Sequence, residues 1–75
     1  PDHERVIAYQ ALKTKNYTRA LTAWNSIPLK QMTPDDILSA AITAQTAGDA
    51  RELRKWISIS MSKEMARKMT IIGGL

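Results

Sequence analysis

Lys15-Asn16-Tyr17-Thr18-Arg19-Ala20 and Gly48-Asp49-Ala50-Arg51-Glu52-Leu53 echo each other about 33 residues apart, and each stretch carries a side chain able to cap the helix that follows it. Asn16 caps a helix opening at Tyr17, and Asp49 caps one in which Glu52 completes a capping box. A repeat of this period marks stacked helical hairpins, whose usual product is a binding surface. Between the two stretches, Thr33-Pro34-Asp35-Asp36 places Thr at a cap, Pro at the first helical position and a carboxylate three residues after the cap. A helix starts there and runs to Ala47, where Gly48 supplies a left-handed stop. Pro28 ends the preceding helix.

The chain therefore divides into a first hairpin over 2–27 (helices over about 2–15 and 17–27), a second over 33–60, and a fifth helix over 61–70 opened by Ser60 or Ser62, with Gly73-Gly74 as a loose tail. All 75 residues form one all-α domain, with no alternation of strand type and no phenylalanine. Apolar positions fall at helical spacing: Ile7, Ala8, Ala11 and Leu12; then Tyr17, Ala20, Leu21, Trp24 and Ile27; then Ile37, Ala40, Ala41 and Ala44; then Leu53, Trp56, Ile57 and Ser60. Alanine-lined helices let a neighbouring backbone approach, and the indole and branched residues opposite fill the groove.

The segment Ala8-Tyr9-Gln10-Ala11-Leu12, followed by Asn16-Tyr17, Ala20-Leu21 and Trp24, resembles a tetratricopeptide repeat, and a more degenerate copy carries Ala41, Gly48, Leu53 and Ile57. The likeness covers about residues 3–60. It departs from the family pattern at Glu4, Ala11 and Ala44, and Pro28 comes about four residues early. The resemblance implies an α-solenoid of right-handed stacking and a protein-binding scaffold. The chain is also similar to degenerate arrays in bacterial envelope proteins, such as exporters and outer-membrane receptors, which would place it in an envelope or secretion assembly.

Composition narrows the function classes. A chain of 75 residues buries only about 60% of its unfolded surface, which leaves little room for a deep catalytic cleft. Cysteine is absent, so thiolate chemistry and disulfides are excluded. His3 is the single histidine and reads as an N-terminal surface residue; Asp35 and Asp36 read as helix-capping carboxylates. No Gly-rich phosphate loop, Gly-x-Ser-x-Gly elbow or metal-spaced cluster occurs. The expectation is a protein without enzymatic activity, cofactor or metal. No apolar run reaches the roughly 18 residues of a spanning helix, and the opening residues lack a secretory signal, so cytoplasm and bacterial periplasm are both compatible.

Residues 1–50 carry five bases and five acids, whereas residues 51–75 carry Arg51, Arg54, Lys55, Lys63, Arg67 and Lys68 against Glu52 and Glu64. The whole excess of four positive charges thus sits in the last third, partly as solvated helix faces near C-terminal ends. Ala44-x-x-x-Gly48 resembles the turn of helix-turn-helix DNA readers, but Arg54 stands where that motif needs an apolar residue. Met61, Met65 and Met69 recur every four residues as an apolar stripe, suited to core packing, to capping the array or to self-association.

The leading expectation is a scaffold whose first and third helices line a shallow surface for a protein or peptide, with contacts from Tyr9, Lys13, Thr43, Arg54, Lys55, Trp56, Met61, Met65 and Met69. The alternatives are a basic RNA-binding or other nucleic-acid-binding helical module using Arg51, Arg54, Lys55, Lys63, Arg67 and Lys68, and a terminal piece of a larger solenoid. A membrane surface is the less favoured partner.

Overall fold

The computed structural model describes the backbone of residues 2–73 and the side chains of residues 2–64. Among them lie four α-helices, α1 (Asp2–Lys13), α2 (Tyr17–Ser26), α3 (Pro34–Ala47) and α4 (Ala50–Gly73), with a 3-10 turn at Leu29–Gln31 and no strand. The chain is all-α. Helix α1 packs on α2, α2 on α3, and α3 on α4. The short links 14–16 and 48–49 turn each pair into a hairpin.

The two turns are built alike at a spacing of 33 residues. In the first, Lys15 N–H bonds the Leu12 carbonyl at 3.1 Å and Asn16 N–H bonds the Ala11 carbonyl at 2.8 Å; in the second, Gly48 bonds Gln45 at 3.1 Å and Asp49 bonds Ala44 at 3.0 Å. Both turn residues are left-handed, Lys15 at φ 61° and Gly48 at φ 73°. Both capping side chains then accept from the backbone three residues on, Asn16 from Arg19 at 3.2 Å and Asp49 from Glu52 at 3.1 Å. This is the paired C-terminal and N-terminal capping that closes orphan groups at helix ends. It also stops α1 at Lys13, two residues short of the expected end. Only Gly48 has the residue type that this backbone favours. Replacing the exposed Lys15 by Gly relieves the left-handed penalty, and Lys15→Gly should raise stability by about 1 kcal/mol, read as a higher urea midpoint.

Helix α3 begins as its sequence dictates. Thr33 Oγ1 accepts from Asp36 N–H at 3.1 Å, and the Asp36 carboxylate accepts from Thr33 N–H at 3.0 Å, a complete capping box with Pro34 at its first position. The second expected box is half made. Asp49 caps Glu52, but the Glu52 carboxylate turns away to accept from Asn25 at 2.6 Å and to pair with Lys55 at 2.8 Å.

Among the described residues no fifth helix stands as a separate element. The backbone from Ala50 to Gly73 is one helix, because the segment between those residues contains neither Gly nor Pro and the three serines 58, 60 and 62 impose no break. The helix takes in Gly73, expected in a loose tail; Gly74 lies outside the described residues. Trp56, Ile59 and Lys63 continue one face along it, and Lys63 Nζ donates to the Leu29 carbonyl at 2.9 Å, tying mid-helix to the connector.

The core centres on Trp24, with Ala8, Ala11, Ala20, Leu21, Ile27, Ile37, Ala40, Ala44 and Trp56 buried around it. Alanine on α1 and α3 against indole on α2 and α4 is the expected complementarity. The face of α4 differs from expectation: Ile57 is 45% exposed and Ser60 is exposed, while Ile59 packs inward. Helix α4 meets α2 as well as α3, as the Asn25 contacts require, so its buried stripe is turned by about one residue. Met32 and Ala23, absent from the expected core, are also buried.

Candidate interaction surface

Tyr9 projects from α1 across to α3. Its ring packs edge-on against Trp24, with centroids 5.1 Å apart and planes at 88°. Its hydroxyl donates to the Asp36 carboxylate at 3.4 Å and lies 3.5 Å from Ser39 Oγ. The ring nevertheless stays partly exposed. Val6 and Lys13, three residues before Tyr9 and four after, share its side of α1, and Ile42 shares the Ser39 side of α3. Val6, Ile42 and Lys13 are all exposed. First and third helices thus present Val6, Tyr9, Lys13, Ser39 and Ile42, an apolar strip with a basic end.

Beside this strip lies a charge pair whose carboxylate is buried and whose guanidinium is partly exposed. Arg5 Nη2 and Asp36 Oδ2 are 2.8 Å apart, and Arg5 Nε donates to both carboxylate oxygens at 3.0 and 3.2 Å. Arg5 also donates to Asp2 at 2.8 Å and to the Gln31 carbonyl at 3.0 Å. Burial works to raise the Asp36 carboxyl, but hydrogen bonds from Arg5 and from the Thr33 backbone outweigh it, so Asp36 ionises below the usual carboxylate range. The bond to Asp36 raises Arg5 in turn. Asp36 was expected only as a cap; the pairing was missed because it joins residues 31 apart. Arg5, three residues from Asp2, looks from sequence like a local helix pair.

Two of the expected contact residues are interior. Thr43 is fully buried: its hydroxyl accepts from Trp24 Nε1 at 3.3 Å and donates to the Ser39 carbonyl at 2.6 Å. It sits in the α3 stripe with Ala40 and Ala44, and a small hydroxyl is what the indole N–H needs there. Trp56 is 1% exposed and belongs to the core with Trp24 and Ile27. Neither presents itself to a partner.

The others lie apart. Arg54 and Lys55 are exposed on α4, with Lys55 held by Glu52, by the Asn25 side-chain oxygen and over the Trp56 ring at 4.8 Å. Burial pushes Glu52 up, but Lys55 and Asn25 bring it below its ordinary value. Of the basic residues, Arg51 is exposed and Lys63 is bound to backbone carbonyls, whereas the side chains of Arg67 and Lys68 lie outside the described residues. Met61 is 63% exposed; Met65 and Met69, the rest of its expected stripe, have side chains outside the described residues. Sequence reasoning also passed over Val6, Leu38 and Ile42. Leu38 and Ile42 are four apart and off the alanine stripe of α3, which was the available signal.

Among the described residues no group of three or more His, Cys, Asp or Glu side chains could hold a metal, and no helix is long and apolar enough to cross a membrane. No family model matches the chain, and no solved structure matches it. The chain is similar to bacteriophage adsorption protein A of Escherichia coli (strain K12), with 43% identity over 53 residues. Those residues are 71% of this chain and 5% of that protein, so the likeness concerns a small segment of a far longer polypeptide.

Proposed function

We propose that the chain is a non-enzymatic protein-interaction module of degenerate tetratricopeptide-like hairpins, stacked as in an α-solenoid, with the α1 and α3 strip as its contact surface. The observation that carries this reading is Tyr9: a half-exposed aromatic bridging two helices, flanked by exposed Val6 and Ile42 and held rigid by Trp24 and Asp36. Rigid aromatic anchors on a preformed surface are what binding energy concentrates on. The likeness to a protein named for bacteriophage adsorption supports work within a bacterial envelope assembly, where such a surface would receive a protein or peptide.

The test is affinity capture from bacterial envelope extract by the chain and by a Val6→Glu/Ile42→Glu variant, at about 50 and 200 mM salt. Both sites are exposed, so the variant should keep its stability within about 0.5 kcal/mol. A protein retained at both salts by the parent and lost by the variant supports the module. Nucleic acid retained at low salt only, and lost by Arg51→Glu/Arg54→Glu, would instead favour the nucleic-acid alternative.

A second reading, a piece of a larger array, is favoured by the open side of hairpin two. Ile57, 33 residues after the buried Trp24, is 45% exposed, and Leu38, 33 residues after Arg5, is 59% exposed. A following hairpin would cover them as hairpin two covers hairpin one. A monomer with a sharp unfolding transition would argue against a missing neighbour.

A further inference from the structure

We propose that the face of α3 and α4 turned away from α1 and α2 docks a second copy of the chain, the two copies running antiparallel about a two-fold axis. Clefts across the seam between α3 and α4 set Pro34 and Ile37 against Ser60 and Glu64 at one end and Gln45 against Leu53 at the other. Leu38 and Ala41 on α3 and Ile57 on α4 therefore lie between them, with Met61 one turn beyond Ile57. Leu38, Ile57 and Met61 are exposed, whereas the side chains that reach α1 and α2, Asp36 and Thr43 on α3 and Glu52 on α4, leave their helices on the other side. Adjoining exposed apolar side chains with a charged rim mark an association surface.

Charge selects the occupant. Arg54 stands three residues before Ile57, at the end where α3 finishes, and Asp35 stands three residues before Leu38, at the end where α3 begins, which also holds Glu64. Arg54 and Asp35 are exposed and have no ion-pair partner among the described residues. The face is thus basic at one end and acidic at the other. A two-fold axis across the helices lays the basic end of each copy on the acidic end of its mate, two matched contacts in one interface. An axis along the helices would bring like ends together.

Head-to-tail stacking of copies has no such match. At the 33-residue spacing, Asp36 and Thr43, which accept from Arg5 and Trp24, correspond to His3 and Gln10, while Arg5 and Trp24 correspond to Leu38 and Ile57. A copy stacked that way would lay exposed His3 and Gln10 on aliphatic groups that offer them no hydrogen bond, and would leave a further face open. The antiparallel pair covers both faces at once. In the chain alone, the face that a following hairpin would cover in an array is therefore complementary to itself, and it shares no residue with the α1 and α3 strip.

Sedimentation equilibrium of the chain at rising concentration is the test. The expected result is a monomer–dimer equilibrium with a dissociation constant on the order of 100 µM, as suits a small interface, and no larger species. Met61→Glu should abolish the dimer. Arg54→Glu should weaken it about tenfold, and Asp35→Lys/Glu64→Lys likewise, whereas all three charge changes together should restore the parent value because the two ends have exchanged sign. These positions are exposed, and circular dichroism checks that each variant keeps the helix content of the parent. A chain still monomeric at about 1 mM, a dimer that Met61→Glu or Arg54→Glu leaves unchanged, a combined variant that stays as weak as the single reversals, or mass that grows past the dimer as head-to-tail stacking requires would each overturn the proposal.

Discussion

Trp24→Ala should abolish the cooperative unfolding transition. Trp24 is fully buried, its ring carries the edge-on contact with Tyr9, and its N–H is the donor to Thr43. Removing a buried indole costs about 3 to 5 kcal/mol, and a domain of this size has only about 4 to 11 kcal/mol in hand. The loss also leaves Tyr9 without its support, so the α1 and α3 strip should disorder together with the core. Near-ultraviolet circular dichroism and a urea titration check this. Trp24→Phe keeps one aromatic ring but loses the bond to Thr43 and the volume of the second ring, and the cost should fall to about 2 kcal/mol. If Trp24→Ala unfolds as sharply as the parent and at a similar midpoint, the packing described here is wrong.

The second large effect belongs to Asp36. Its carboxyl ionises below the ordinary value of 3.8 in the folded chain, so it contributes stability that is fully present above the unfolded value and is lost as pH falls through the folded one. Stability should therefore decline below about pH 4, over the range where a normal carboxylate is protonated. Arg5→Ala leaves the Asp36 carboxylate buried without its cation. The pair is open to solvent on the Arg5 side and closed on the Asp36 side, so the urea midpoint at pH 7 should fall because the carboxylate, not the guanidinium, keeps its burial cost. In that variant the acid slope should shrink as well, since the groups left on the Asp36 carboxylate are those of Thr33 and the Tyr9 hydroxyl. Urea midpoints at pH 7 and pH 3 for both proteins measure it. An Arg5→Ala variant with an unchanged slope would show that the pair does not control acid stability.

Local chemistry made most of the helices legible. Thr33-Pro34 and Gly48-Asp49 state where helices begin and stop through their own backbone preferences, and Pro28 can only interrupt. Trp24 declared itself because Ala20 and Ile27 share its face. The misreadings came from relations that no local window contains. Arg5 reaches Asp36 across 31 residues, and Thr43 is polar yet interior because a distant indole needs it. The rotation of α4, which exposes Ile57 and buries Trp56, is set by α2 on one side and α3 on the other. Serine punctuation suggested a fifth helix, but serine permits a helix to continue as readily as it permits one to start. For the surface, Tyr9 and Lys13 were visible in the sequence, whereas Val6, Leu38 and Ile42 fall outside the apolar stripes of their helices and nothing local marks them as contacts.

The Arg5 guanidinium grips α1, the connector and α3 at one side of the molecule, while Asn25 and Glu52 join α2 to α4 at the other. Neither half can peel away without breaking a polar clasp as well as shedding core. Amide protons in the two halves should consequently be released to solvent in a single shared opening, so the chain moves as one block when it is pulled upon.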